Sequence, residues 1–135
     1  MEFKILTAQR EKTRKLESFI KDGLEETEIS VVYDRATLRG GFYNAINERD
    51  YDLVILDNEA LNSRELGQIT ALARKKKTKV VGFTSDLDLA EQVRRSGLPV
   101  YVYLRNSKAN SLSGYVRGIA LKEECVRSLA EEVAA

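Results

Sequence analysis

Short apolar or β-branched runs alternate with stretches of helical spacing five times along this chain, and nothing else in the sequence constrains its fold as tightly. The strand-like runs are 3–8, 29–33, 53–56, 79–84 and 100–104. Between and after them apolar residues recur three and four apart over 10–23, 35–48, 63–76, 86–96 and about 108–132, the spacing of a helix with one buried face. Leu53-Val54-Ile55-Leu56 is apolar without interruption, as a strand covered on both faces must be. Ser63 and Asp86 stand where helix N-caps are wanted, and Gly97 where a helix stops. Pro99, the only proline, heads the last strand, where a missing N–H is tolerated.

Strands that alternate with helices across short connections build a parallel sheet with helices on both faces. Right-handed crossovers then leave few orders for five strands. The expected fold is α/β: one domain over 1–135 with a five-stranded parallel sheet, flavodoxin-like (βα)5, in the order 2-1-3-4-5. Charge and residue usage narrow the chemistry. Lys+Arg number 22 against 21 Asp+Glu, so a net charge of +1 gives no bulk attraction to a polyanion, and nucleic acid is not an expected partner. The absence of histidine removes His-based triads, haem–His ligation and all zinc sites except Cys/carboxylate ones. A single cysteine, Cys125, excludes an internal disulfide. No apolar run approaches the ~18–20 residues that span a bilayer, and Met-Glu-Phe-Lys-Ile-Leu is too charged for a signal peptide. A cytoplasmic protein with no membrane partner is expected.

In an open α/β sheet ligands bind outside the carboxyl ends of the strands, beside the point where the order reverses. Those ends deliver Thr7-Ala8-Gln9, Asp57-Asn58-Glu59, Thr84-Ser85 and Leu104-Arg105-Asn106. A carboxylate that closes an apolar strand suits a site there and equally suits the start of a loop. Tyr51-Asp52-Leu53-Val54-Ile55-Leu56-Asp57 resembles the third strand of bacterial response-regulator receiver (CheY-like) domains, whose last aspartate accepts phosphate. Gly41 and Ala45 upstream, Thr84 closing the fourth strand, and the Ser96-Gly97 turn before an aromatic-bearing strand fit the same family. The resemblance implies Asp57 as the phospho-acceptor-like residue, with Thr84, Arg105 and Glu59 as its supporting pocket.

The departures shape the expectation. Thr7-Ala8-Gln9 has no carboxylate where receivers usually carry the acidic pair that helps bind Mg²⁺. Arg105 stands in place of their lysine, and Leu61 in the loop where they tend to have proline. Phosphoryl transfer to a carboxylate needs the charge on the transferring oxygens neutralised, mostly by a divalent ion. One secure carboxylate holds Mg²⁺ weakly at most. The expectation is therefore an atypical or pseudo-receiver. It is a signalling or scaffolding module of the two-component type, not an enzyme, with no cofactor, and it acts through protein–protein contact independently of phosphorylation. Its partner would be a protein of a signalling pathway. Two alternatives stay open: a working phospho-receiver that uses Asp57, and a flavodoxin-like nucleotide- or flavin-binding enzyme. Against the second stands the lack of any GxGxxG or GxxxxGK[ST] motif.

Three surface features remain. Tyr101 and Tyr103 share one face of the last strand, as core packing or as a partner surface. Arg74-Lys75-Lys76-Lys77 and Lys79 gather at the end of the third helix, where cations complement its dipole. The last helix, about 25 residues or ~37 Å long, outlasts strands of ~17–20 Å. Leu112, Tyr115, Ile119, Val126, Leu129 and Val133 keep a heptad-like seam along it, interrupted by Lys122. A stripe that outruns its own core either frays or meets a partner or a second copy. Val126, Leu129 and Val133 therefore join Tyr101 and Tyr103 as partner-surface candidates, with a homodimer through this helix among the expected outcomes. Gly114 and Gly118 are expected to let the helix approach the sheet closely.

Overall fold

The structure is a computed structural model and describes residues 1–8, 14–36, 41–62, 64–102 and 111–134. In chain order its elements are β1 (Glu2–Ala8), α1 (Arg14–Gly23), β2 (Ser30–Ala36), α2 (Gly41–Glu48), β3 (Leu53–Leu56), α3 (Asn58–Leu61), α4 (Leu66–Lys75), β4 (Lys79–Thr84), α5 (Leu87–Arg95), β5 (Val100–Val102) and α6 (Ser111–Ala134). Every strand pairing is parallel, in the order β2-β1-β3-β4-β5. The parallel α/β architecture and the order β2-β1-β3-β4 agree with the expectation. At the far edge β5 contributes three paired residues, Val100 to Val102 against Gly82 to Thr84.

Side chains alternate across the sheet, and the two faces collect two cores. Leu6, Val54, Leu56 and Val80 point to the side of α2, α3, α4 and α5, where Phe42, Ile46, Ala60, Ile69, Leu89 and Val93 cover them. Phe3, Ile5, Leu53, Ile55, Val81 and Phe83 point the other way and meet Leu16 and Ile20 of α1 and Leu112, Val116 and Ala120 of α6. All four residues of β3 are buried, which is what the uninterrupted apolar run required. The helices α1 and α6 lie against each other on that second face. They approach closely at Gly23, where a Cβ would run into the Ser113 carbonyl oxygen, so only glycine fits there.

Several boundaries differ from the sequence reading, each for a physical reason. The second helix does not begin at Arg35. Instead β2 continues to Ala36, with Arg35 paired to Thr7 and Ala36 to Ala8. As an edge strand β2 can carry polar residues outward, so its end gives no apolar signal. The four-residue helix α3 went unforeseen because so short a turn has no periodicity to read. The next helix begins at Leu66 rather than at 63, with no side-chain cap on Glu65, and Ser63 lies outside the described residues. At α5 the expectation holds: the Asp86 carboxylate accepts from the N–H groups of Asp88 and Leu89, and Gly97 takes the left-handed conformation, φ 90°, after the helix.

Candidate functional site

Asp57, Thr84 and Thr7, expected at the carboxyl rim of the sheet, are among the described residues. Asp57 follows β3 and is half-buried. Its Oδ1 accepts from the Ala60 N–H at 3.0 Å and its carbonyl from the Leu61 N–H at 2.9 Å, so the carboxylate caps α3. Thr84 is fully buried, and its hydroxyl accepts from the Asp86 N–H at 3.0 Å, which sets the turn into α5. Thr7 is equally buried at the end of β1. Gln9, Tyr103, Leu104, Arg105 and Asn106 lie outside the described residues, as do the side chains of Glu59 and Tyr101. Asp57 and Thr84 are thus both tied to local backbone. Among the described residues no three Cys, Asp or Glu side chains gather where one metal ion could bind.

At the opposite, amino-terminal end of the strands lies a constellation that the sequence reading missed. Along α6 the residues Leu112, Val116, Ala120, Glu123 and Arg127 follow one another at steps of four, four, three and four, and so share the face turned to the sheet. The stripe is apolar as far as Ala120 and charged beyond it, where the helix passes the sheet's edge. There Arg127 Nη2 donates to Asp52 Oδ1 at 2.8 Å, Nη1 to the Glu2 carbonyl at 2.9 Å, and Nε to Glu123 Oε1 at 3.1 Å. The other oxygen of Asp52 accepts from the Lys4 N–H at 2.8 Å, so one carboxylate holds both β1 and α6. Partial burial opposes the guanidinium charge, but Asp52 and Glu123 outweigh it and strengthen its hold on the proton. The signal was legible as the change from apolar to charged within one helical face.

Beside this clamp runs a groove of about 610 Å³ between α6 and the segment that leads into β4. One wall is the seam of α6, with Tyr115, Ile119, Lys122 and Val126, and the other carries Lys76, Lys77 and Lys79. A second hollow of about 430 Å³ continues it toward β5 and shares Lys77, Lys79 and Tyr115. Of the basic run, Lys76 does not serve its own helix. Its Nζ donates to the carbonyls of Ile46 at 2.5 Å and Arg49 at 2.7 Å, which closes the C-terminus of α2, and pairs with Asp50 at 3.2 Å. Tyr51, on the groove floor, donates its hydroxyl to Asp34 Oδ2 at 2.8 Å, and its pKa is raised, first by burial and then by that carboxylate.

From Val126 onward the seam stands open. Val126 is 51% exposed, Leu129 55% and Val133 88%, values far from those of a helix face that rests on a core. Gly114 and Gly118 do not bring α6 onto the sheet as expected. Both are exposed, and a Cβ on either would meet nothing within 4 Å beyond its chain neighbours and the backbone of its own helix.

No protein-family model matches the chain, and no curated protein matches it. Among solved structures the chain is similar to the lactose-specific IIB component domain of the phosphoenolpyruvate:carbohydrate phosphotransferase system from Streptococcus pneumoniae. Identity is 14%, the alignment covers 90% of this chain and 95% of that one, and the TM-score is 0.47. A likeness of that degree assigns neither activity nor partner. The receiver resemblance is corrected by these findings: no receiver family model matches the chain, and the solved structure named above is a phosphotransferase-system domain rather than a receiver. With it fall the pseudo-receiver and response-regulator readings, the two-component signalling role, and the alternatives of a phospho-receiver and of a nucleotide- or flavin-binding enzyme. The physical reason lies in the motif. An apolar run ending in aspartate describes any buried parallel strand followed by a capped turn, and here Asp57 is such a cap. No helix among the described residues is long and apolar enough to cross a membrane.

Proposed function

We propose that this chain is an association module that pairs with a second copy of itself through α6. In this reading the five-stranded flavodoxin-like sheet is the rigid platform, and the module is neither an enzyme nor dependent on a cofactor. The observation that carries it is a helix whose exposed seam, Val126, Leu129 and Val133, is held in place rather than left to fray. Arg127 fastens α6 to Asp52 and Glu2 in the middle of that seam. An apolar heptad face fixed in position beyond its own core is the usual form of a helix that packs on another. The exposed thiol of Cys125 suits a reducing compartment, and the cytoplasm is proposed on that ground.

The mass in solution tests this. Light scattering behind size-exclusion chromatography is expected to give twice the chain mass at high micromolar concentration. Leu129→Glu is expected to return the single-chain mass with an unchanged far-ultraviolet circular dichroism spectrum. A wild-type chain that stays single throughout overturns the reading.

A further inference from the structure

The groove beside α6 has a pattern of charge that selects one way of pairing. Lys77, Lys79 and Lys122 line it; its two carboxylates, Asp52 and Glu123, are held by Arg127, and among the described residues no carboxylate pairs with any of the three lysines. In a chain of net charge +1 such a cluster implies that acidic groups are collected elsewhere. They are found on α6 itself. Glu124 and Glu131 are one heptad apart on the side opposite the seam, and Glu132 flanks it. A helix laid in the groove would present its seam to α6 and its far side to the lysine wall.

We infer that two copies pair through α6 in antiparallel fashion, so that Glu124 and Glu131 of each copy face Lys79 and Lys77 of the other. This deepens the association reading above and rests on it. Antiparallel heptads set a positions against d positions. The register that uses the whole exposed seam places Val126 opposite Lys122, Leu129 opposite Ile119 and Val133 opposite Tyr115, each layer occurring twice. Tyr115 is the residue that the groove and its continuation share with Lys77 and Lys79. The end of the second helix thus comes level with those lysines. A parallel pair does the reverse: Lys122 faces Lys122, the acidic ends lie together past the sheet, and the lysine wall keeps no counter-charge. Like charges directly opposed are unfavourable, and complementary ones fix the register. The antiparallel arrangement also accounts for Gly118. Within one chain it lowers helix propensity with no visible return, whereas between two it leaves room for the Glu132 that flanks the other seam.

Two experiments on the full chain decide it. The first is charge reversal. The Lys77→Glu/Lys79→Glu chain and the Glu124→Lys/Glu131→Lys chain are each expected to dissociate at least roughly ten-fold more readily than wild type, as four opposed pairs (two from each copy) made repulsive imply. Mixed together, they are expected to form a heterodimer of wild-type strength. The second is bridging with a short bismaleimide. Cys125 and position 132 occupy the same heptad position one repeat apart, so a parallel pair treats them alike. An antiparallel pair bridges Cys125, near its centre, and leaves Glu132→Cys in a Cys125→Ser chain unbridged. Equal bridging at both positions, or at neither, in a chain that remains dimeric overturns the antiparallel register but leaves the association reading standing. Reversed-charge chains that dimerise as wild type overturn the lysine seat. A chain that is single at all concentrations removes both.

Discussion

Arg127→Leu asks whether the overhanging half of α6 is held by its clamp. Leucine keeps the helix propensity of arginine, so the change removes the contacts and little else. The pair with Asp52 lies between two regimes: the arginine side chain is 40% exposed and the aspartate 18%. Fully exposed pairs contribute ~0–1 kcal/mol, and breaking a buried one costs ~3–5 kcal/mol. The hydrogen bond to the Glu2 carbonyl is lost as well, and Asp52 keeps only the Lys4 N–H among the contacts described above. A loss of about 2 kcal/mol is expected, which for a chain of this length lowers Tm by roughly 7 °C. The loss is local before it is global. The turns past Ala120 are too few to hold helix alone, so amide exchange over 122–134 should quicken more than exchange in β3. A double-mutant cycle with Asp52→Asn, which leaves the acceptor for Lys4 in place, isolates the charge pair and should give a coupling of about 1 kcal/mol that shrinks in high salt. A melting temperature unmoved by Arg127→Leu, with a coupling below ~0.3 kcal/mol, would refute the clamp and with it the argument that the seam is held rather than frayed.

Other perturbations follow from single contacts. Gly23→Ala should lower Tm despite the better helix former, because its Cβ meets the Ser113 backbone and forces α1 from α6 at a cost of ~1–3 kcal/mol; an unchanged or raised Tm would remove that contact from the account. Asp57→Ala should cost about 1 kcal/mol by urea titration through loss of the α3 cap, whereas Asp57→Asn should cost much less; equal losses would show that capping is not what the carboxylate does. Burial raises the pKa of Tyr33 and of Tyr51, with the Asp34 carboxylate adding to the rise at Tyr51. The protonated phenols are the forms the fold favours, so their contribution is full below pH ~10 and is lost as pH climbs through the higher folded values. Tyr51→Phe should flatten the decline of stability measured above pH ~10, and an unaltered slope counts against the burial account.

How much could be read from residues alone depended on how local the signal was. Leu53 to Leu56 announced a doubly covered strand, Lys79 to Thr84 kept its bounds, and Asp86 and Gly97 marked the ends of α5 as their chemistry requires. The polar end of β2 was not legible, since an edge strand can face water with Asp34 and Arg35. The Asp52–Arg127 pair joins positions 75 apart, and only the turn of α6 from apolar to charged hinted at it. The family reading overshot for a related reason. A buried strand and a capping aspartate are common property of parallel sheets, so they do not single out one family.

The bond between Glu2 and Arg127 spans 125 positions. Closing so long a loop costs on the order of 4 kcal/mol in chain entropy, so it forms late, after the nearer pairings have drawn the ends together. On a ribosome β1 emerges well before α6, so its last fastening must wait until α6 has been made as far as Arg127. Until then the border where β1 and β3 begin is unsecured, and a stalled or shortened polypeptide would offer it to chaperones and proteases.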